Sequence, residues 1–167
     1  MRRLLPAAAL AGIAALAAAA AVASPPKAKV LMRTNPVGSA LVEVRGHTLY
    51  LFTVDRVKTS SCYGACAAAW PPFLTSAKPV AGAGVKQALL GTLKRRDGKL
   101  QVTYAGHALY FFAQDAKAGE VTGQGTNSTW YALRASGKRI TTQPPGTTTP
   151  ASTGDGGGYD GGGYYPP

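Results

Sequence analysis

Residues 46–55 read GHTLYLFTVD, and residues 106–115 read GHALYFFAQD. Six of the ten positions are identical: Gly, His, Leu, Tyr, Phe and Asp. The match extends outward at the same spacing, pairing Gly38 with Gly98, Val42 with Val102 and Trp70 with Trp130. Identities at one ungapped offset over this span mark an internal duplication. The repeats are read as about 28–75 and 88–135.

Each unit reads as a three-strand meander. KVLMRT, SALVEV and HTLYLFT form the first, and ALLGTLKR, KLQVTY and HALYFFA the second. Val, Tyr, Phe, Thr and Leu at this density favour strands. NPVG, Arg45-Gly46, Asp97-Gly98 and Ala105-Gly106 are the turns, with Asp97-Gly98 read as a two-residue hairpin. In the third strand Leu49 and Leu51 face one way, Tyr50 and Phe52 the other. A strand apolar on both faces belongs between two packed layers. TWYALRA (129–135) predicts a further strand closed by Ser136-Gly137, and CYGACAAAW (62–70) a short helical turn stopped by Pro71-Pro72. The expected fold is all-β and mainly antiparallel. Two pseudo-symmetric repeats pack as a small sandwich or barrel.

The ends are of different character. Arg2 and Arg3 precede an apolar run from Leu4 to Ala23, closed by the small-x-small triplet Ala21-Val22-Ala23. This predicts a signal peptide over 1–23; the alternative is an uncleaved anchor, since the run could span a bilayer. No cysteine lies near the cleavage site, so no lipobox anchor is expected there. Arg2-Arg3 leaves the export route open. Residues 141–167 are Thr, Pro, Gly and Tyr with almost no aliphatic residue, and predict a disordered tail. A single domain remains over 24–140.

That domain holds sixteen of the 18 basic residues and five of the seven acidic ones, so the whole +11 charge falls on it. A surplus of this size favours anionic partners. For an exported chain these are acidic envelope polymers or an anionic membrane surface rather than nucleic acid.

TLYLFTVD, SSCYGACAAAWPPF, the long run from GTLKRRDG to TGQG, and WYAL together resemble the family called secreted repeat of unknown function. That family is also described as predicted lipoproteins with the motif Yx(FWY)xxD. The motif falls on Tyr50, Phe52 and Asp55, and again on Tyr110, Phe112 and Asp115. The resemblance runs from about 28 to 135. It implies an exported bacterial envelope protein and no defined activity.

Cys62 and Cys66 are the only cysteines, and in an exported chain such a pair predicts a disulfide. Their alternative use is a thiol pair for copper or redox exchange. His47 and His107, the only histidines, are expected at solvent-facing hairpin ends; alternatively they converge with the cysteines on one metal. Asp55 and Asp115 are expected just past their strands, accepting turn N–H groups. The alternative is a shared pocket with Tyr50 and Tyr110. Trp70 and Trp130 complete the repeated set. No Ser-His-Asp order, catalytic carboxylate pair or nucleotide fingerprint is present, so a non-enzymatic protein without a cofactor is expected.

Overall fold

The structure is a computed structural model describing residues 26–146. The expected signal peptide (1–23) and, from 147 onward, the expected tail (141–167) lie outside the described residues. The first repeat contains β1 (Lys29–Asn35), β2 (Gly38–Glu43), β3 (Tyr50–Phe52), the short helix α1 (Ala65–Ala69) and β4 (Leu74–Thr75). A connector carries β5 (Val80–Ala81). The second repeat contains β6 (Leu90–Lys94), β7 (Leu100–Tyr104), β8 (His107–Ala108) and β9 (Trp130–Ala132). Strands order as β2-β1-β5, β3-β9 and β4-β7-β6, with β8 added to β7. Among the described residues no barrel closes, and the arrangement is a sandwich.

The core confirms the two-faced reading of the third strand. Leu49, Leu51 and Leu109 pack in one cluster with Val30, Leu41, Phe73, Leu90, Val102 and Leu133. Tyr50 and Tyr110 pack in the other with Trp70 and Trp130, and Phe52 and Phe112 lean on it. Alternate residues of one segment thus enter opposite layers, which is why it carries no polar stripe.

The expected meander forms at the start of each third strand: Thr48 bridges Val42, and β8 pairs with β7. From Tyr50 and Tyr110 onward each third strand pairs with the other repeat. β3 takes β9 as its antiparallel partner, Tyr50 opposite Ala132. The equivalent pairing sets Tyr110 opposite Pro72. The two third strands also meet each other: Tyr50 N donates to Tyr110 O and Tyr110 N to Tyr50 O, both at 2.9 Å. A reciprocal bond pair between equivalent residues puts the pseudo-twofold axis there.

The turns correct two other expectations. Asp97-Gly98 is not a two-residue loop. Arg95 N donates to Lys99 O, so Arg96, Asp97 and Gly98 form a three-residue loop with Gly98 at φ 81°. The first hairpin is shorter, with Asn35 opposite Gly38. At the next turn the difference reverses. Glu43 pairs with His47 across three residues, while Tyr104 pairs with His107 across two. These changes cancel, so the offset of 60 returns at Gly46 and Gly106. Between them β2 aligns with β7 one residue out. Leu41, not Val42, is therefore the structural counterpart of Val102, and both lie in the same core cluster. The Val42/Val102 and Gly38/Gly98 identities are coincidences of numbering.

Candidate functional site

The duplicated aromatic residues meet at the axis. Trp70 and Trp130 stack with centroids 3.9 Å apart and planes within 1° of parallel. Phe52 stacks on Trp130 at 4.2 Å and Phe112 on Trp70 at 4.3 Å. The stack therefore runs Phe52, Trp130, Trp70, Phe112, alternating between repeats. Tyr50 meets Trp70 edge-on at 5.4 Å, and Tyr110 meets Trp130 edge-on at 5.2 Å. Such pairs contribute about 0.5–1.5 kcal/mol each beyond area burial. Most of these contacts cross from one repeat to the other.

The tyrosine hydroxyls and aspartates cross in the same way. Tyr50 Oη donates to Asp115 Oδ2 at 2.5 Å, and Tyr110 Oη donates to Asp55 Oδ2 at 2.6 Å. Each aspartate spends its other oxygen on the loop that follows it. Asp55 Oδ1 accepts Ser61 N at 2.7 Å and Ser61 Oγ at 2.6 Å. Asp115 Oδ1 accepts Thr122 N at 2.9 Å and Thr122 Oγ1 at 2.5 Å. Turn capping was expected; the reach into the opposite repeat was not. Burial, and then the charge of Asp115, raises the Tyr50 hydroxyl well above the usual phenol range. Burial and the bond to Asp55 raise Tyr110 likewise. Both are proton donors at neutral pH.

The turn glycines belong to the same exchange. Lys58 N donates to Gly106 O at 2.8 Å and Gly119 N to Gly46 O at 3.0 Å. A Cβ on Gly46 would sit 3.0 Å from Ala118 Cβ, and one on Gly106 2.9 Å from Val57 Cγ1. Both glycines also hold positive φ, 96° and 84°. Each is thus fixed twice, by the turn and by the other repeat's loop.

Cys62 and Cys66 form the expected disulfide, with Cα atoms 5.2 Å apart around the start of α1. Arg95 anchors this segment, a role that sequence reading missed. Its guanidinium donates to Cys62 O and Ser60 Oγ, each at 2.8 Å, and to Gln101 Oε1 at 2.5 Å. Its Nε lies 3.7 Å from Asp97 Oδ2, an ion-pair separation too long for a hydrogen bond. The available signal was alternation: Leu93 and Arg95 lie on one face of a strand, so an inward arginine follows an inward leucine.

Among the described residues the duplicated aspartates line different cavities, and the histidines do not converge on one metal site. His47, Asp115 and Phe111 line one cavity, while His107, Asp55 and Leu51 line another. The thiols are bonded to each other. Among the described residues, no group of three or more His, Cys, Asp and Glu is placed to hold a metal ion. The copper alternative built on His47, His107, Cys62 and Cys66 is therefore not favoured. Both histidines are half-buried at pocket walls rather than fully solvent-facing.

A family profile described as a secreted repeat of unknown function matches residues 32–73 and 91–134, just over half of the chain. The two matched stretches coincide with the two halves of the cross-braced core. No curated protein and no solved structure matches the chain.

Proposed function

Because this chain belongs to the family of secreted repeats of unknown function, we propose that it is an exported, non-enzymatic binding or structural protein of the cell envelope, with acidic envelope polymers as partners. The observation that carries this reading is how the domain uses its charges. All five of its carboxylates have internal partners. Asp55 and Asp115 hold the tyrosines. Glu43 accepts Arg45 N at 2.6 Å, Glu120 accepts Lys117 N at 2.9 Å, and Asp97 accepts Lys99 N at 3.1 Å. Among the described residues the only ion pair is Arg95–Asp97. The remaining basic side chains of the described residues are exposed and make no ion pair, a field suited to a polyanion.

A polymer is favoured over a membrane surface. The large apolar side chains exposed among the described residues are Val44, Val54 and Val57, with no exposed Trp, Phe or Leu to enter a bilayer. The non-enzymatic reading is supported by the same economy. Asp55 and Asp115, the obvious acid–base candidates, have both oxygens occupied by structural donors.

Retention on an immobilised polyuronate tests the proposal. The protein should bind at about 0.02 M salt and elute before about 0.3 M, since screening shortens to below 10 Å over that range. Passage without retention at the lower salt would overturn it.

A further inference from the structure

The fold duplicates a pocket, and the two copies carry opposite charge. Each takes its histidine from one repeat and its aspartate and apolar wall from the other: His47 with Asp115 and Phe111, His107 with Asp55 and Leu51. Among the described residues neither imidazole makes a hydrogen bond, and neither fills the core. Packing therefore does not explain why histidine is written twice. The rims differ. The first pocket adds Glu43 and Arg45, so with Asp115 its formal charge is −1. The second adds Lys138 and Arg139, so with Asp55 it is +1. Its cations come from the turn after β9, where Leu133 bridges to Arg139. At the matching positions of the first repeat stand Lys78 and Pro79, and they do not line the first pocket.

We propose that the His107–Lys138–Arg139 pocket is a binding site for one anionic group, a carboxylate or a phosphate, carried on a sugar or polyol unit. Its volume of about 530 Å³ lies within the roughly 300–1,000 Å³ usual for small-ligand sites. The first pocket, at about 270 Å³, falls below that range. The carboxylate of Asp55 is engaged by three donors, Tyr110 Oη, Ser61 N and Ser61 Oγ. Lys138 and Arg139 are exposed and, among the described residues, make no ion pair with it. Arg139 is oriented by the Tyr131 ring, 4.9 Å below its guanidinium. Leu51 offers an apolar wall for the C–H face of a ring, and Thr53 and Thr141 offer hydroxyl partners. The inference deepens the polyanion reading, and rests on it for the class of ligand.

The test is NMR of the intact protein titrated with glucuronate, glycerol phosphate and uncharged glucose. One of the two anions should give saturable shifts at the His107 ring and the Lys138 and Arg139 amides, and glucose none. Which anion does so identifies a carboxylate or a phosphate source. Lys138→Gln with Arg139→Gln, both exposed positions, should weaken binding at least about tenfold. Arg45→Gln, at the other pocket, should leave it unchanged. No saturable shift with either anion, equal shifts with glucose, or unchanged affinity in the double variant would overturn the site. If the polyuronate column still retains the protein in that event, the broader reading survives alone. If the pocket binds its anion but the column retains nothing, the pocket stands and the polymer reading falls.

Discussion

Tyr50 meets Tyr110 through the main chain, Trp70 through a ring edge and Asp115 through its hydroxyl. Removing only the hydroxyl isolates the last of these. Tyr50→Phe leaves a buried carboxylate oxygen without its donor and should cost about 1–3 kcal/mol. Tyr50→Ala also opens a cavity and should cost about 3–5 kcal/mol. Chemical denaturation of both variants checks the order. The raised tyrosines also set a pH dependence. Their folded pKa values lie above the unfolded value of about 10, so the contribution is complete below pH 10. It declines as pH rises from there towards the folded values. The denaturation midpoint should therefore fall above about pH 10, and more shallowly in Tyr50→Phe. A wild-type midpoint that stays level to pH 11.5 would contradict the assignment. His47→Ala and His107→Ala touch neither core cluster and should change stability by less than about 0.5 kcal/mol.

Turns and loops explain the element scale. Gly98 and Gly106 have nearly the same backbone, φ 81° and 84°. A Cβ on Gly98 would meet nothing within 4 Å, whereas one on Gly106 would strike Val57. Gly98→Ala should therefore show only the left-handed backbone cost, about 1–2 kcal/mol. Gly106→Ala should exceed it measurably in the same denaturation series, and equal losses would remove the inter-repeat contact from the account. The disulfide closes a small loop. Its reduction should cost only about 2 kcal/mol by the chain-entropy estimate. Arg95 holds the same segment independently, so reduced protein should remain folded in circular dichroism.

At the scale of the molecule, the exchange means that neither repeat owns a complete core. The first supplies Trp70 and Pro72 to the second, and receives Trp130, Ala132 and Asp115 in return. Fragments 26–85 and 86–146 should each lack a cooperative transition alone. Mixed in equal amounts, they should recover β-sheet ellipticity and a single transition. A cooperative transition in either isolated fragment would show that the repeats are self-sufficient.

The sequence by itself determined the duplication, the strand content, the two-faced third strand and the disulfide. Each of these depends on neighbours in the chain or on a periodicity of two, which local pattern carries. It also singled out Tyr50, Asp55, Trp70 and their mates as a set. Only the tertiary structure decided which copy each of them touches. Pattern is the same whether Asp55 bonds its own repeat's tyrosine or the other's. The choice comes from the strand pairing that buries both aromatic faces at once. The one-residue shift between β2 and β7 was hidden for a related reason, since two opposite changes in turn length restore the numbering by Gly46 and Gly106. The division of the two histidines between two pockets likewise follows from that crossing, because residues 60 apart in the chain are placed by long-range pairing rather than by spacing.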